Sequence, residues 1–186
     1  SERELSKMTE NFWSLSRLEN QTIITDQEDF RVDEQIRWII LRAESVWSAK
    51  NLVLEPELDK ITWYGNQELT SHIWSNLIDN AIKFTPAGGE ITIKASMDEE
   101  WLTVSVQDSG IGIPPDIQSR IFDKFYQGDT SHKKKGNGLG LALVHQIVTL
   151  YGGHITLESI PDLGSTFTVC LPAHPSSEQE SSLPLP

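Results

Sequence analysis

The sequence is poor in cysteine and has no long apolar run. Cys170 is the only cysteine among 186 residues, so no intramolecular disulfide can form, and a reducing compartment fits the chain. No stretch approaches the roughly 20 apolar residues that cross a bilayer, and no charged-then-apolar signal segment opens the chain. We therefore expect the chain as given to be soluble.

Positive charge is also scarce. Lysine and arginine together number 15 against 27 aspartates and glutamates, which gives a formal net charge of -12. Long-range attraction to nucleic acid or to an anionic membrane is therefore not expected, and any bound anion must be held by local groups. The length, with 38% hydrophobic residues, suits one domain plus an appendage.

Helical spacing occurs in five segments. Leu5, Met8, Phe12 and Leu15 are spaced 3-4-3, which predicts a helix over residues 1–20 with a coiled-coil-like seam. The second predicted helix has Asp33 as its N-cap and runs to about Asn51. The other predicted helices cover residues 67–84, a short segment over 114–122, and a segment from about 138 to the Gly152-Gly153 pair.

Strand patterns occur between these helices. Two alternating pairs, 89–97 with 101–108 and 154–159 with 164–172, predict antiparallel hairpins. Single short strands are predicted before residue 31 and within 52–58 and 60–65. This order predicts an α+β fold: a two-layer α/β sandwich whose mixed, mainly antiparallel sheet is covered on one face by helices. Residues 126–137 are expected to form a mobile loop.

The helix predicted over residues 67–84 carries an unusual polar face. His72, Asn76 and Asn80 recur every four residues, and Lys83 follows three positions later. Asparagine is a mediocre helix former, so two of them in mid-helix break a local preference without an evident structural gain. Such a stripe alone is typical of a solvated face, but with the glycine motifs below it indicates a working site.

The segment "QDSGIGIPP" follows a predicted strand. Asp108 at the strand end supplies a fixed hydrogen-bond acceptor. Gly110 and Gly112 let the backbone turn tightly and admit a flat ligand close to the main chain. Alone this segment is an ordinary turn.

A second glycine-rich segment, "KKKGNGLG", precedes the last predicted helix. Gly136, Gly138 and Gly140 leave the backbone N–H groups at the helix start unblocked, so these groups can hold phosphate oxygens. Three lysines at 133–135 add positive charge where those oxygens would arrive. The segment therefore predicts a phosphate-binding loop.

Four blocks in order, "NLIDNAIKF", "DSGIGIP", "IFDKFYQ" and "GNGLGLALV", followed by "GGHITLES" and "GSTFTVCLP", carry a family resemblance. Over about residues 27–172 the chain resembles the nucleotide-binding domain of sensor histidine kinases, in the GHKL group of ATP-binding proteins. The resemblance implies the Bergerat α/β sandwich, ATP with Mg²⁺ as ligands, and phosphoryl transfer to a histidine.

The resemblance also implies roles for single residues. Asn80 would ligate Mg²⁺ through its amide oxygen, Asn76 would stand beside the phosphates, and Lys83 would contact phosphate or ribose; these three are the predicted catalytic residues. Asp108 would accept the adenine amino hydrogen. The remaining predicted nucleotide-site residues are Phe84, Gly110, Gly112, Ile113, Phe122, Phe125, Lys133, Lys134, Lys135, Gly136, Gly138, Leu139 and Gly140, with the two phenylalanines after Ile113 anchoring the lid.

The sequence departs from the family pattern in the lid. Gln127 stands where the family often has arginine, Lys135 where it has glycine, and Asn137 where it has threonine. Which of the three lid lysines reaches the γ-phosphate stays open. Asn76 occupies the position at which hydrolysing members of the group place a glutamate base, and an amide cannot accept a proton from water at pH 7. Phosphoryl transfer therefore fits better than ATP hydrolysis.

The resemblance implies further parts of the protein. None of the five histidines is followed by an acidic residue in the manner of the family's phosphoacceptor, so we expect the acceptor on an upstream helical domain. Residues 1–20 resemble the end of that dimerisation helix, and 21–172 the ATP-binding catalytic domain. Residues 173–186, which are rich in proline, serine and glutamate, are expected to form a disordered tail. The expected full-length protein is a homodimeric, membrane-anchored sensor that acts on a response regulator and presents this domain to the cytoplasm.

Other functions fit the residues less well. "GNGLG" is not the G-x-G-x-x-G of dinucleotide-binding folds, and no Walker-type phosphate loop occurs. A degenerate nucleotide-binding module would be favoured by loss of Asn80 or Asp108, and both are present. An anti-sigma-like serine kinase would share the same site, but the helix over residues 1–20 disfavours it.

Overall fold

The structure, a computed structural model, describes residues 2–21, 23–124, 126 and 138–175. Its helices are α1 (Glu2–Glu19), α2 (Val32–Arg42), α3 (Glu44–Ala49), α4 (Gln67–Phe84) and α5 (Gly140–Leu150). Its strands are β1 (Glu28–Arg31), β2 (Val53–Leu58), β3 (Thr62–Gly65), β4 (Glu90–Met97), β5 (Trp101–Asp108), β6 (His154–Ile160) and β7 (Gly164–Pro172).

Five strands form one sheet in the order β2-β4-β5-β7-β6. The β2–β4 pair is parallel, and the other three pairs are antiparallel. β1 and β3 form a separate antiparallel ribbon. The sequence-based prediction of a mixed, mainly antiparallel sheet containing two hairpins is confirmed.

The core lies between one face of the sheet and the helices α4 and α5. In β5 the residues at every second position are buried, because alternate side chains of a strand point to the same face. The helices contribute apolar stripes at helical spacing, which remove the same face of the sheet from water. Members of this core with at most 1% exposure include Ile73, Leu77, Ile91, Leu102, Val104, Leu143, Ile147 and Val169. The predicted two-layer sandwich is therefore confirmed.

The helix predicted over residues 1–20 is present as α1, but its apolar residues divide between two faces. Leu15 and Leu18 are 5% and 2% exposed and join the main core. Leu5, Met8 and Phe12 stay exposed. Only part of the predicted seam is therefore exposed, because Leu15, its last residue, packs into the core.

The helix predicted from Asp33 to Asn51 is wrong in both its cap and its length. It is broken at Ala43 into α2 and α3, and the indole Nε1 of Trp47 donates to the carbonyl of Ile40 at the break, 2.9 Å away. Arg31, not Asp33, is the N-cap residue of α2. Asp33 is instead buried inside the first turn, where its carboxylate accepts hydrogen bonds from Arg31 and from the backbone N–H of Ile61.

Two further boundaries differ from the prediction. The segment 114–122 forms successive i→i+3 turns, of which only Gln118–Arg120 is a 3₁₀ helix. α5 begins at Gly140, two residues after the expected start. Most of the predicted mobile loop and the tail beyond residue 175 lie outside the described residues. Within the described ranges, none of the helices is long and apolar enough to cross a membrane.

Candidate functional site

The polar face of α4 divides into a buried and a half-buried part. Asn76 is only 3% exposed, and its amide Nδ2 donates to the carbonyl of His72 at 2.7 Å, which fixes the orientation of the amide. Asn80 and Lys83 follow on the next turn and are half-buried. The Lys83 ammonium lies 5.1 Å from the centroid of the Phe84 ring. The predicted catalytic side chains therefore follow one face of a single helix.

The start of α5 lies directly against Asn76. A Cβ on Gly140 would be 2.8 Å from the amide oxygen of Asn76, so a glycine is needed for this close approach. Gly138 has φ +69°, which glycine adopts without strain, and Leu139 is 1% exposed. The structure thus brings together Asn76 and the three described residues of the predicted phosphate loop. Phe125, Lys133, Lys134, Lys135 and Gly136 lie outside the described residues.

Asp108 forms the other end of the predicted site. It is 9% exposed because it occupies a core-facing position of β5. Its Oδ1 accepts hydrogen bonds from the backbone N–H of Gly110 at 2.9 Å and of Ser165 at 3.3 Å. Burial raises the pKa of Asp108, and the two hydrogen bonds oppose this shift. Among the described residues both bonds reach Oδ1, so Oδ2 is the oxygen available to a ligand.

The loop after Asp108 closes on the end of α4. A Cβ on Gly110 would be 2.5 Å from the carbonyl oxygen of Phe84, and the N–H of Ile111 donates to that oxygen at 3.3 Å. Gly112 has φ +70°. Since Asn76 and Phe84 belong to one helix, the two ends of the site are separated by about 12 Å along its axis.

Phe122 lies at the described beginning of the lid. Its ring is 5.5 Å from that of His145 on α5 and 6.4 Å, edge to face, from that of Phe167 on β7. The ring is half-buried against the core. This placement agrees with an anchoring role.

α1 covers the Asn76 end of the site, which the sequence did not predict. Asn11, 3% exposed, donates from its amide to the Asn76 oxygen at 3.4 Å. Lys7 forms an ion pair with Asp79, the neighbour of Asn80. Burial, with nearby Lys83 acting in the same direction and Glu10 against it, lowers the pKa of Lys7 to about 8.

Sequence reasoning also missed Ser159 and Ser165. These residues are direct neighbours in the β6–β7 ladder, and their hydroxyl oxygens are 2.8 Å apart. The sequence did contain a signal, because Ser165, Phe167 and Val169 occupy alternate positions of β7 and therefore point to the same, buried face of the sheet. A polar side chain on this otherwise apolar face, next to Asp108, indicates a local hydrogen-bonding role.

The residues fit ATP and Mg²⁺ by their chemistry. Amide and carboxylate oxygens are hard donors suited to Mg²⁺, which is usually held by one or two protein groups together with substrate phosphates. Asn80, half-buried on the polar face of α4, carries an amide oxygen suited to such a role. The described residues contain no cluster of three or more His, Cys, Asp or Glu side chains able to hold a metal alone. Among the described glycines, Gly110 and Gly140 are positions at which a Cβ would come within 3 Å of an oxygen of α4.

Comparison with known proteins agrees with this arrangement. The model of the histidine kinase-, DNA gyrase B- and HSP90-like ATPase family matches residues 65–175. The chain belongs to this family. The matched segment contains α4, the glycine-rich loop after β5, α5 and the final hairpin, so it is an ATP-binding domain of the family.

Two curated relatives of the chain are sensor proteins. The chain is 33% identical to the heme sensor protein HssS of Staphylococcus saprophyticus, covering 89% of this chain and 36% of that protein. It is 36% identical to the sensor histidine kinase RppB of Synechocystis, covering 91% and 38%. The chain therefore spans little more than a third of these curated relatives. The solved histidine kinase AdeS of Acinetobacter baumannii aligns with a TM-score of 0.75 and 26% identity, over 91% of this chain and 78% of that one.

Proposed function

We propose that the chain is the catalytic ATP-binding part of a two-component sensor histidine kinase. It binds Mg²⁺-ATP and transfers the γ-phosphoryl group to a histidine on an upstream helical domain, from which a response regulator receives it. The similarity to RppB and AdeS supports this class of activity.

The observation that carries the proposal is the contact between Asn76 and Gly140. It puts the neutral amide of Asn76 beside the N-terminus of the 11-residue helix α5. A helix N-terminus favours anions such as phosphate. Since an amide cannot take a proton from water, the site favours transfer to another nucleophile over hydrolysis.

The remaining residues have separable roles in this proposal. Asp108 accepts a hydrogen bond from the base through Oδ2, and the glycine loop admits the flat ring. Asn80 holds Mg²⁺, which neutralises phosphate charge during transfer. Lys83, three residues after Asn80 on the same face of α4, contacts phosphate or ribose. We also propose that residues 1–20 end the dimerisation helix of a homodimeric full-length protein.

Calorimetric titration of this chain with ATP, with and without Mg²⁺, tests nucleotide binding. Incubation of the full-length protein with γ-labelled ATP tests the reaction, because phosphohistidine is acid-labile and stable in base, whereas phosphoserine is stable in acid. Acid-stable label would favour the serine kinase alternative. Metal-indifferent ATP binding without any phosphoprotein would favour a nucleotide-binding module and contradict the kinase.

A further inference from the structure

The glycine loop between Asp108 and the 3₁₀ turn is held by β6 and its turn as well as by α4. The backbone N–H of Asp162, in the turn between β6 and β7, donates to the carbonyl of Ile111 at 2.8 Å. A Cβ on Gly112 would be 2.2 Å from the carbonyl oxygen of Ile160, so the two backbones are in close contact. The loop that would border the base therefore takes its position from the final hairpin.

The hydroxyl of Ser159 lies at the centre of this contact. Its oxygen accepts the backbone N–H of Ile113 at 2.7 Å, the shortest hydrogen bond between the loop and the hairpin. The same oxygen lies 3.1 Å from the carbonyl of Gly164 and 2.8 Å from the hydroxyl of Ser165. The hydroxyl of Ser159 can accept from the N–H of Ile113 and from the hydroxyl of Ser165 while it donates to the carbonyl of Gly164, which uses its one donor and both acceptor positions within the protein.

A second set of hydrogen bonds links Ser159 to Asp108. Ser165, bonded to Ser159 through its hydroxyl, donates its backbone N–H to Oδ1 of Asp108. Gly110 donates to the same Oδ1 from the loop side. The side chain of Ser159 thus links Ile113 in the loop to Ser165, whose backbone N–H orients the carboxylate of Asp108.

A further contact holds the carbonyl of the same loop residue. The side-chain amide of Gln118, in the 3₁₀ turn, donates to the carbonyl of Ile113 at 2.9 Å and approaches the carbonyl of Ser159 at 3.4 Å. Ile113 is therefore held by hydrogen bonds on both sides of its backbone. Of these two bonds, only the one from its N–H depends on the Ser159 hydroxyl.

We propose that Ser159 is a positioning residue for base recognition: its hydroxyl sets the loop 110–113 against Asp108 so that the free carboxylate oxygen and the loop backbone present one rigid edge to adenine. This inference rests on the proposed binding of ATP. Ser159 itself contacts no ligand in it.

The test compares three variants of the same chain by calorimetric titration with ATP and with GTP. Ser159→Ala removes the hydroxyl and should weaken ATP binding about tenfold, the effect of losing roughly one hydrogen bond, while GTP binding changes little. The ratio of the two affinities should therefore fall about tenfold. Ser159→Thr keeps a hydroxyl on a β-branched residue suited to a strand and should retain the wild-type ratio.

Ser105→Ala is the matched control, since it removes a half-buried serine hydroxyl from β5 away from the loop. It should leave both affinities unchanged. Amide hydrogen exchange adds a readout that needs no nucleotide. In Ser159→Ala the Ile113 amide should exchange at least about tenfold faster, while the core amide of Val104 keeps its protection.

Each result decides between the proposals. Wild-type chain that fails to bind ATP would overturn the proposed function and the adenine role of Ser159 with it. If wild-type chain binds ATP, an unchanged ATP-to-GTP ratio in Ser159→Ala overturns the positioning role alone. Equal loss of both nucleotides together with a lower unfolding midpoint would show a purely structural serine and overturn it as well.

Discussion

A Cβ on Gly140 would come within 2.8 Å of the amide oxygen of Asn76, so a side chain at position 140 would force that oxygen to move. The contact joins the middle of α4 to the first residue of α5, and the bond from Asn76 to the His72 carbonyl prevents the amide from turning away freely. Any group added at position 140 must therefore displace the amide that we place beside the phosphates.

Gly140→Ala should weaken ATP binding about tenfold, because the displaced amide loses roughly one hydrogen bond to a charged ligand. Stability should change little, since the atom displaced is the end of the Asn76 side chain and not backbone. Calorimetry and thermal unfolding measure the two effects.

Gly152→Ala is the control for this prediction. Gly152, two residues after the end of α5, has φ +71°, and a Cβ there would meet open space. The substitution should cost about 1–2 kcal/mol of stability through backbone strain and leave ATP affinity unchanged. Wild-type ATP affinity in Gly140→Ala would contradict the placement of phosphate beside Asn76.

Asn80→Ala should abolish the contribution of Mg²⁺ to ATP binding while affecting metal-free ATP little. The physical reason is that the amide oxygen is the proposed protein ligand of the ion. Ser71→Ala serves as control, because nine residues, or two and a half turns, put Ser71 on the opposite face of α4. Titrations with and without Mg²⁺ check this, and an equal response of both variants to Mg²⁺ rules out the metal role.

Asp108→Asn should reduce the preference for ATP over GTP. The isosteric amide can still accept the N–H groups of Gly110 and Ser165 through its oxygen, but its NH₂ group then faces the amino group of adenine, so two donors meet. Competition binding with both nucleotides measures the preference. An unchanged ratio would exclude the adenine contact.

The same substitution has a predicted effect on stability. Burial raises the pKa of Asp108 above its ordinary value of 3.8, so the ionised form is disfavoured in the folded state. The protonated carboxyl of Asp108 therefore contributes to stability below about pH 3.8, and this contribution is lost as pH rises through the raised pKa. Asp108→Asn should be at least as stable as wild type at pH 7, as measured by urea unfolding; a clear loss of stability would contradict this.

Asp33→Ala should lower stability at pH 7 by about 2–4 kcal/mol, since it leaves Arg31 and the buried N–H of Ile61 without their acceptor. Glu34→Ala is the control: its ion pairs with arginine are solvent-exposed and worth less than about 1 kcal/mol. Urea unfolding midpoints compare the two. Equal losses would show that burial of Asp33 is unimportant.

This stabilisation also has a defined pH dependence. The hydrogen bonds from Arg31, aided by that from Ile61, hold the pKa of Asp33 far below its ordinary value of 3.8. The contribution is therefore complete above about pH 4 and is lost as pH falls below it. Wild type should lose stability more steeply than Asp33→Ala between pH 4 and pH 2.

The sequence by itself determined most element types and predicted which residues form the two ends of the candidate site. α4 occupies the range 67–84 expected from its periodicity, and both hairpins pair as their alternation indicated, because these patterns depend on local spacing. Asp108, Gly110 and Gly112 were also predicted from local sequence, because Asp108 ends an alternating strand and the two glycines mark the tight turn that follows it. The break at Ala43 was not found, because no glycine or proline marks it.

Tertiary structure decided what lies next to these elements. Asn11 and Lys7 contact residues of α4 that lie more than sixty positions further along the chain. Ser159 meets the loop after Asp108 only because β7 pairs with β5 and β6 pairs with β7. Periodicity reports which face of an element is apolar but not which polar group of a distant element it will meet. That pairing depends on the order of strands and the packing of helices, which long-range contacts establish.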